Sequence, residues 1–261
     1  MIFCFSGMGN TRYVAGLLAE ILDEKLHEFT SDELRHPDKI KLSVKSLGSH
    51  VIWAFPTYGW LVPPVMEKVI QNIPIDAQNV PHYMLTTCGD DMGMMDQQWA
   101  TLMRNRVWVP RGAYAVRMPN TYVFMPGFDV DKPEVVKEKL DAVPARVKEI
   151  AEAIRNDVKK LLIPGALPHL KSDVLGALFR KFYMSPKPFH CTEACVGCGI
   201  CARSCPMANI VMLGEHPQWS VNCAFCLRCY HVCPHHAVAY GRQTAKKGQY
   251  RNLLQYVIKE D

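Results

Sequence analysis

The tightest constraint in this sequence is a cysteine repeat near its C-terminal end. The chain has 261 residues and 11 cysteines, and eight of these follow the spacing Cys-x2-Cys-x2-Cys-x3-Cys-Pro twice. A shift of 28 residues, from Cys195 to Cys223, superimposes all four cysteines and the proline of the two copies. The copies are Cys195, Cys198, Cys201 and Cys205 with Pro206, and Cys223, Cys226, Cys229 and Cys233 with Pro234. The sequence therefore contains an internal repeat.

This spacing suits the geometry of a 4Fe-4S cube. Three thiolates of one tight loop occupy three corners of such a cube, and the fourth corner needs a distant ligand. Segment 190–240 resembles bacterial dicluster ferredoxins, in which the cysteine before the proline binds the other cluster. The resemblance implies that cluster one is held by Cys195, Cys198, Cys201 and Cys233. It implies that cluster two is held by Cys223, Cys226, Cys229 and Cys205.

Two other uses of these cysteines fit the pattern poorly. A structural zinc site would use pairs of cysteines separated by a longer stretch, not two runs of four. A disulfide framework conflicts with the odd cysteine count and with the N-terminal sequence, which begins as an apolar strand without the features of a secretory signal. Cys191 has no counterpart in the second copy, where Trp219 stands, and is expected to be a bystander thiol.

The composition is that of an ordinary globular chain, with 49% hydrophobic and 21% charged residues. No apolar run approaches the ~20 residues of a membrane span, so we expect a cytoplasmic protein with no transmembrane segment and no nucleic-acid partner. Residues 155–188 carry seven Lys or Arg against Asp157 and Asp173, a surplus that equals the net charge of +5. That surplus is either a solvated face of a connecting segment or a surface that attracts an acidic redox partner or a membrane.

The N-terminal segment places a small polar loop between a strand and an amphipathic helix. The strand is predicted over 1–5 and the helix over 13–22, an arrangement that aims backbone N–H groups and the helix dipole at an anion. The loop lacks the glycine pattern of dinucleotide-binding folds and the Gly-Lys-Ser/Thr ending of a P-loop. It resembles the loop of flavodoxins that binds the FMN phosphate, although Met8 replaces the usual Thr; a plain Gly-Asn turn is the alternative. The candidate FMN residues here are Ser6, Gly7, Met8, Gly9, Asn10 and Thr11.

Further strands alternate with helices along the next 150 residues. Strands are predicted near 27–29 and over 50–55, 81–87 and 112–118, with a long helix over 133–160. This alternation predicts an α/β fold, a flavodoxin-like doubly wound parallel sheet of five strands in the order 2-1-3-4-5, whose ligands bind beyond the carboxyl ends of the strands. Loops 6–12, 56–60 and 87–93 leave those ends.

The resemblance to flavodoxins implies that the second and third of these loops enclose the isoalloxazine ring. The candidate residues are Pro56, Thr57, Tyr58, Gly59 and Trp60, and then Thr87, Cys88, Gly89 and Asp90. Tyr58 and Trp60 are candidates for stacking on the ring or for ordinary packing. Cys88 is favoured as a small buried apolar residue, because free cysteine usually packs in the interior.

The whole pattern resembles the flavodoxin-ferredoxin fusion proteins of anaerobic bacteria and archaea. The implied domains are a flavodoxin-like FMN-binding domain over 1–158, a linker over 159–189, a small α+β domain with two 4Fe-4S clusters over 190–240, and a tail over 241–261. The linker helix is expected to pack Leu175, Leu178 and Phe182 against a domain, whereas His231, His235 and His236 are expected at the surface.

The resemblance implies an electron-transfer flavoprotein that moves electrons between FMN, the clusters and an external redox protein. One alternative is an FMN-dependent reductase of a small-molecule acceptor, fed by the clusters. Another is a ferredoxin-type carrier whose flavin site is vestigial because of Met8. The sequence has no nicotinamide-binding fingerprint, so the partner is expected to be a protein.

Reconstitution without oxygen tests the cluster count. Two full cysteine sets should bind two cubes, so each chain should contain eight iron atoms and eight acid-labile sulfides. Iron and sulfide analysis of the anaerobically purified protein measures both. A content of one metal ion per four cysteines, without sulfide, would instead indicate zinc-type sites.

Overall fold

A computed structural model of the chain describes residues 1–42, 47–125, 127–244 and 246–258. Its largest element is a parallel sheet with the strand order β2-β1-β3-β4-β5-β6. The strands are β1 (Ile2–Cys4), β2 (Leu26–Glu28), β3 (Val51–Pro56), β4 (Pro81–Cys88), β5 (Val109–Arg117) and β6 (Lys160–Leu161). The first five follow the order of flavodoxin-like doubly wound sheets.

The sheet has one strand more than the sequence analysis predicted. β6 pairs with Ala113 and Tyr114 of β5 and consists of two residues, which is too short to produce a period in the sequence. The predicted helix over 133–160 ends earlier, at Arg155. Asp157 adopts a left-handed conformation with φ 56°, which turns the chain from the helix into β6.

Helices cover both faces of the sheet. The helices of this part are α1 (Asn10–Leu22), α2 (Ser31–Arg35), α3 (Pro64–Asn72), α4 (Met95–Asn105) and α5 (Pro133–Arg155). Alternate strand residues point to opposite faces: Ile2 of β1 packs with α1 and α5, whereas Phe3 packs with α3 and α4. Within the described ranges, no helix is both long enough and apolar enough to span a bilayer.

The cysteine repeat is also a structural repeat. Three pairs of residues with left-handed backbone are separated by the same 28 positions as the cysteines: Gly197 and Phe225, Gly199 and Leu227, and Ala208 and His236. The short helices α7 (Ile200–Arg203) and α8 (Arg228–Val232) begin at equivalent positions. The two copies therefore trace the same backbone path.

Two small antiparallel sheets accompany these loops. β7 (Phe189–Cys191) pairs with β10 (Val238–Tyr240), and β8 (Ile210–Leu213) pairs with β9 (His216–Trp219). The first of these sheets joins the two ends of the cysteine-rich segment. Phe124, which follows β5, stacks on Tyr240 of β10 at 4.1 Å between ring centroids, so the segment packs directly on the larger part of the chain.

The linker helix packs on a different face from the one predicted. It consists of a π-helical stretch, Leu170–Gly176, followed by α6 (Ala177–Phe182). The predicted contact residues point outward, with Leu178 46% and Phe182 64% exposed. The buried residues are instead Ser172, Gly176 and Phe179. Small residues allow a helix backbone to lie close to its neighbour. The prediction failed because this buried face has no hydrophobic periodicity in the sequence.

One of the three histidines expected at the surface is buried. His231 is fully inaccessible; its Nε2–H donates to the carbonyl of Thr121 at 2.8 Å, and its Nδ1 accepts from the N–H of Tyr250 at 3.1 Å. Burial lowers its pKa to about 4. A single histidine carries no sequence signal for such a bridge. His235 and His236 are exposed, as predicted.

We predict that His82 makes the stability of the protein depend on pH. This residue is fully buried, with Nδ1 accepting from Trp53 Nε1 at 3.0 Å and Nε2 donating to the Ala77 carbonyl at 3.0 Å. Burial lowers its pKa to about 4, below the ordinary value near 6.5. The unfolded chain therefore binds more protons between these values, and stability should fall by about 3 kcal/mol as the pH drops from 6.5 to 4.

Urea unfolding across this pH range measures the effect. His231 contributes to the same window, so the replacement His82→Gln should reduce the pH slope without abolishing it. His36→Gln changes an exposed histidine and serves as the control. An unchanged slope in His82→Gln would contradict the prediction.

Candidate functional site

The three predicted loops meet at the carboxyl edge of the large sheet. The hydroxyl of Thr11, in the first loop, lies 2.8 Å from the hydroxyl of Thr87, in the third. The N–H of Thr57, in the second loop, donates to the carbonyl of Thr87 at 2.8 Å. A β-carbon added to Gly7 would lie 3.1 Å from the Tyr58 hydroxyl oxygen. The structure therefore brings all three loops together.

The first loop leads directly into a helix. Gly9 has φ 91°, a conformation that side chains rarely adopt, and α1 begins at the next residue, Asn10. The Gly9 N–H donates to Ser6 Oγ at 3.1 Å, which closes the loop. Met8 is buried in the apolar cluster between the sheet and α1, so its side chain is turned away from the loop interior. Helix starts of this kind bind phosphate groups.

Later parts of the chain cover the first loop on two sides. A β-carbon added to Gly7 would lie 3.0 Å from the β-carbon of Cys226, which belongs to the second cysteine repeat. On the other side the C-terminal tail contacts Gly9 through the carbonyl of Leu253, and Arg12 Nη1 donates to the carbonyl of Tyr256 at 2.7 Å. The loop is therefore enclosed by both the repeat and the tail.

The linker helix covers the second loop. Gly59 has φ 57°, and the ring of Phe179 fills the space where a β-carbon would stand. Ser172 Oγ donates to the carbonyl of Trp60 at 3.1 Å and accepts from the N–H of Met94 at 2.8 Å. The ammonium group of Lys171 lies 5.7 Å from the centre of the Trp60 ring. Of the two predicted stacking residues, Trp60 is therefore held by the linker helix, while Tyr58 is half-buried and packs against the core cluster.

The third loop packs against the segment that follows β5. The side chain of Asn120 lies over Gly89, and Lys139 Nζ donates to the Gly89 carbonyl at 2.7 Å. Cys88 is buried, as predicted, and burial raises its pKa to about 12, so its sulfur stays a thiol at neutral pH. The neighbouring Asp90 points into solvent, with 84% of its side chain exposed.

Several buried oxygens around these loops have no hydrogen-bond partner in the described part of the chain. They include Asn10 Oδ1, the Tyr58 hydroxyl and the Tyr122 hydroxyl, together with Asp91 Oδ1 of the third loop. Buried polar atoms in proteins are rarely left unpaired, because each costs free energy. Burial, followed by the neighbouring Cys226 thiol, raises the pKa of Tyr58, so its hydroxyl stays protonated. Together with the helix start at Asn10, these unpartnered oxygens fit a ligand that has a phosphate and further polar groups, as FMN has.

Four cysteines from both repeats line one cavity. They are Cys195, Cys198 and Cys201 of the first repeat and Cys233 of the second. Cys198 is exposed, whereas Cys201 and Cys233 are buried. Burial raises the pKa of Cys201 to about 11, and the nearby Cys233, Cys198 and Cys195 thiols act in the same direction. The four thiols that the sequence pattern groups as the first set are therefore neighbours.

The remaining four repeat cysteines form a second group. Burial raises the pKa of Cys223 to about 12, and the adjacent Cys226 and Cys205 thiols raise it further. The pKa of Cys229 is also raised by burial and by these neighbours. Cys205 of the first repeat thus lies beside three cysteines of the second. Both groups contain one cysteine from the other repeat.

Backbone N–H groups donate to the sulfurs of the two cysteines that are grouped with the other repeat, Cys205 and Cys233. The N–H of Asn209 donates to Cys205 Sγ at 3.4 Å, and the N–H of Ala237 donates to Cys233 Sγ at 3.2 Å. These donors are themselves 28 residues apart. A thiolate accepts hydrogen bonds better than a thiol, and such bonds are typical around iron-sulfur clusters. The donor set and its surroundings therefore fit 4Fe-4S clusters.

A smaller cysteine-histidine group lies beside the first set. The ligand atoms of Cys191, Cys195 and His216 lie within 4.8 Å of one another, and Cys191 Sγ is 3.5 Å from His216 Nδ1. Sequence reasoning missed His216, because one histidine near a hairpin turn carries no spacing signal. Cys191 thus lies close to a predicted ligand, although it does not line the cavity that contains Cys195.

Comparisons with known proteins give structural similarities only. No family model matches the chain, and no curated protein matches it. A flavodoxin of Streptococcus pneumonia TIGR4 is 12% identical over 59% of this chain and 95% of its own, with a TM-score of 0.35. The two-electron reduced flavodoxin of Megasphaera elsdenii is 16% identical over 56% and 97%, with a TM-score of 0.33. An azoreductase of Bacillus anthracis str. Sterne is 10% identical over 57% and 96%, with a TM-score of 0.36.

The contact between Gly59 and Phe179 leads to a testable prediction. Gly59→Ala adds a methyl group that overlaps the Phe179 ring and places a side chain at positive φ. We expect a loss of stability of about 2–3 kcal/mol, of which about 1 kcal/mol comes from the left-handed backbone. Urea unfolding of matched preparations measures this loss.

Gly214→Ala is the matched control. Gly214 has φ 60° but nothing within 4 Å of an added β-carbon, so this variant should lose only the backbone contribution. Phe179→Ala should make the loss caused by Gly59→Ala smaller in the double variant. Equal losses at Gly59 and Gly214 would show that the linker helix does not press on the second loop.

Proposed function

We propose that this chain is an electron-transfer protein that carries two 4Fe-4S clusters and FMN. The observation that carries the proposal is the grouping of the eight repeat cysteines into two sets of four, each with one member from the other repeat. Four thiols are a complete ligand set for one cube, so the chain offers ligands for two. The two sets are those that the dicluster ferredoxin pattern implies.

The proposed FMN site consists of the three loops at the sheet edge. Backbone N–H groups of the first loop, Ser6 to Thr11, would hold the phosphate at the start of α1. Met8 would contribute only its backbone, because its side chain packs in the apolar core. The second and third loops, 56–60 and 87–90, would flank the flavin ring, with Tyr58 and Trp60 as the candidate stacking residues. The unpartnered oxygens of Asn10, Tyr58 and Tyr122 support a polar guest.

The arrangement of the thiol sets supports an order in which the redox sites lie between the surface and the flavin. When bound, the clusters pass single electrons and FMN exchanges one or two, so the combination converts paired electrons to single ones or the reverse. Cys226 of the second set lies against Gly7 in the first loop, whereas Cys198 of the first set is exposed. We therefore infer that an external redox protein binds the chain near the first set. The second set would exchange electrons with FMN held by the three loops.

A reductase acting on a small molecule is the less favoured function. Such an enzyme needs open space beside the flavin ring for its substrate. Here Phe179 fills the outer side of Gly59, and Asn120 lies over Gly89. These side chains leave the flavin loops better suited to electron exchange through the protein.

The replacement Cys205→Ala tests the proposal together with the exchange of ligands between repeats. It should remove about half of the iron, because it takes one ligand from the second set and none from the first. Cys195→Ala, which affects the first set, should remove the other half. Iron analysis and EPR spectroscopy of the reduced proteins distinguish the two clusters, and fluorescence of released flavin reports the FMN content.

Cys191→Ala is the matched control for these variants. Its sulfur lies near Cys195 but outside both sets, so the iron content and the EPR signals should equal those of the unmodified protein. A loss of iron in this variant, or the same EPR signal missing from Cys205→Ala and Cys195→Ala, would show that the ligand sets are wrong. A protein with iron but no flavin would refute the FMN part alone.

A further inference from the structure

Arg228 connects the second cysteine set to the first loop. It lies between Cys226 and Cys229 in the sequence, and its guanidinium donates to three backbone carbonyls. Nε donates to Gly7 at 2.5 Å, Nη2 to Ser6 at 2.6 Å and Nη1 to Ser204 at 2.9 Å. Ser204 directly precedes Cys205, the member of the second set that comes from the first repeat. One side chain therefore contacts both the proposed cluster site and the proposed phosphate loop.

The positive charge of Arg228 has no carboxylate partner in the described part of the chain. All three of its hydrogen bonds go to neutral carbonyls, and its side chain is partly buried. A cation removed from water without a counter-charge is costly. The acidic groups that act on it electrostatically are the Cys226 and Cys205 thiols and the Tyr58 hydroxyl, while Arg12 is a second positive charge in its surroundings. Only the sulfurs of the second set become negative when they bind iron.

Among the described residues, the first cysteine set has no equivalent charge. The position 28 residues before Arg228 is Ile200, whose side chain helps to line the cavity of the first set. Arg203, also in the first repeat, donates to the Cys198 carbonyl at 3.0 Å but is exposed, so solvent screens its charge. The two sites therefore have matching thiols and backbone but differ by one enclosed cation.

The contacts of Arg228 also orient the first loop. In a trans peptide the N–H points opposite to the C=O of the same peptide unit. Arg228 holds the carbonyls of Ser6 and Gly7, so the N–H groups of Gly7 and Met8 are directed to the opposite side of the loop. Arg228 therefore fixes the orientation of two N–H groups in the loop that leads into α1.

We propose that Arg228 is the counter-ion of the second cluster and the positioning residue of the phosphate loop. This inference rests on the proposed function. Reduction adds a negative charge to a cluster, and a nearby enclosed cation stabilises the reduced form. A second cluster bound here would therefore have a higher midpoint potential than it would have without Arg228. No bond forms or breaks, and no proton moves.

Two replacements separate the charge of Arg228 from its shape. Arg228→Gln removes the charge and should lower the midpoint potential of the second cluster while leaving that of the first unchanged. Arg228→Lys keeps the charge but loses the planar fork that reaches three carbonyls, so the potential should be largely kept. Both variants should bind FMN about tenfold more weakly, because the loop loses hydrogen bonds that orient it.

Redox titration followed by EPR measures the two potentials, and the Cys205→Ala variant identifies which signal belongs to the second set. Flavin fluorescence titration of protein depleted of FMN gives its affinity. Arg203→Gln is the matched control: it removes an exposed arginine from the first repeat and should change neither quantity. If Arg228→Gln does not fold, Arg228→Met removes the same charge with a long unbranched side chain and should lower the second-cluster potential in the same way, while Arg228→Lys still tests the positioning role through FMN binding.

Several results would overturn the inference. Equal shifts of both potentials in Arg228→Gln, or no shift of either, would exclude the counter-ion role. Unchanged FMN affinity in Arg228→Lys would exclude the positioning role. Wild-type protein without two reducible clusters would refute the proposed function itself. Two intact clusters whose potentials do not change in the Arg228 variants would refute only this inference.

Discussion

The structure depends on a property of parallel sheets, which bring the carboxyl ends of all their strands to one edge. At this edge the backbone groups beyond the strands are no longer paired within the sheet, and each must find another partner. In this chain the three loops pair with one another through Thr11, Thr57 and Thr87. Later parts of the chain then pack over this edge, whereas α5 covers a face of the sheet and β6 extends it. The linker helix, the cysteine repeats and the tail thus surround a single small region.

The linker helix packs closely on that edge because the residues on its inner face include the small Gly176 and Ser172. A β-carbon added to Gly176 would lie 2.5 Å from the carbonyl oxygen of Gly59, so only glycine permits the helix to approach so closely. Ser172 satisfies the backbone of Trp60 and Met94, and Phe179 fills the remaining space beside Gly59. Arg180 secures the helix further by donating to Glu67 and to the carbonyl of Val62. The apolar residues that this packing leaves outside, such as Phe182, are exposed as a consequence.

Burial favours the uncharged form of the acid-base groups in this region. It raises the pKa of Tyr58 and of Cys223 and lowers that of His231, so these three groups stay uncharged when no ligand is bound. Arg228 is the exception, since a guanidinium does not lose its proton in proteins. A bound cluster, whose cysteine ligands are negatively charged thiolates, would balance the positive charge of Arg228. The same arginine would tie the cluster site to the phosphate loop.

Much of the architecture could be predicted from the sequence, because it is encoded by regular spacing. The strand-helix alternation predicted a parallel α/β sheet, and the 28-residue cysteine repeat predicted two equivalent loops, which the left-handed positions Gly199 and Leu227 reproduce in the backbone. The sequence did not reveal β6, the inner face of the linker helix or the burial of His231. These features depend on contacts between residues far apart in the chain, made by glycine, serine and single polar side chains that leave no period. By itself the sequence determined the alternation of strands and helices and the 28-residue spacing of the cysteines, because both are regular patterns. Only the tertiary structure decided, through long-range packing, that Arg228 and Cys226 lie against Gly7 and that Phe179 lies against Gly59.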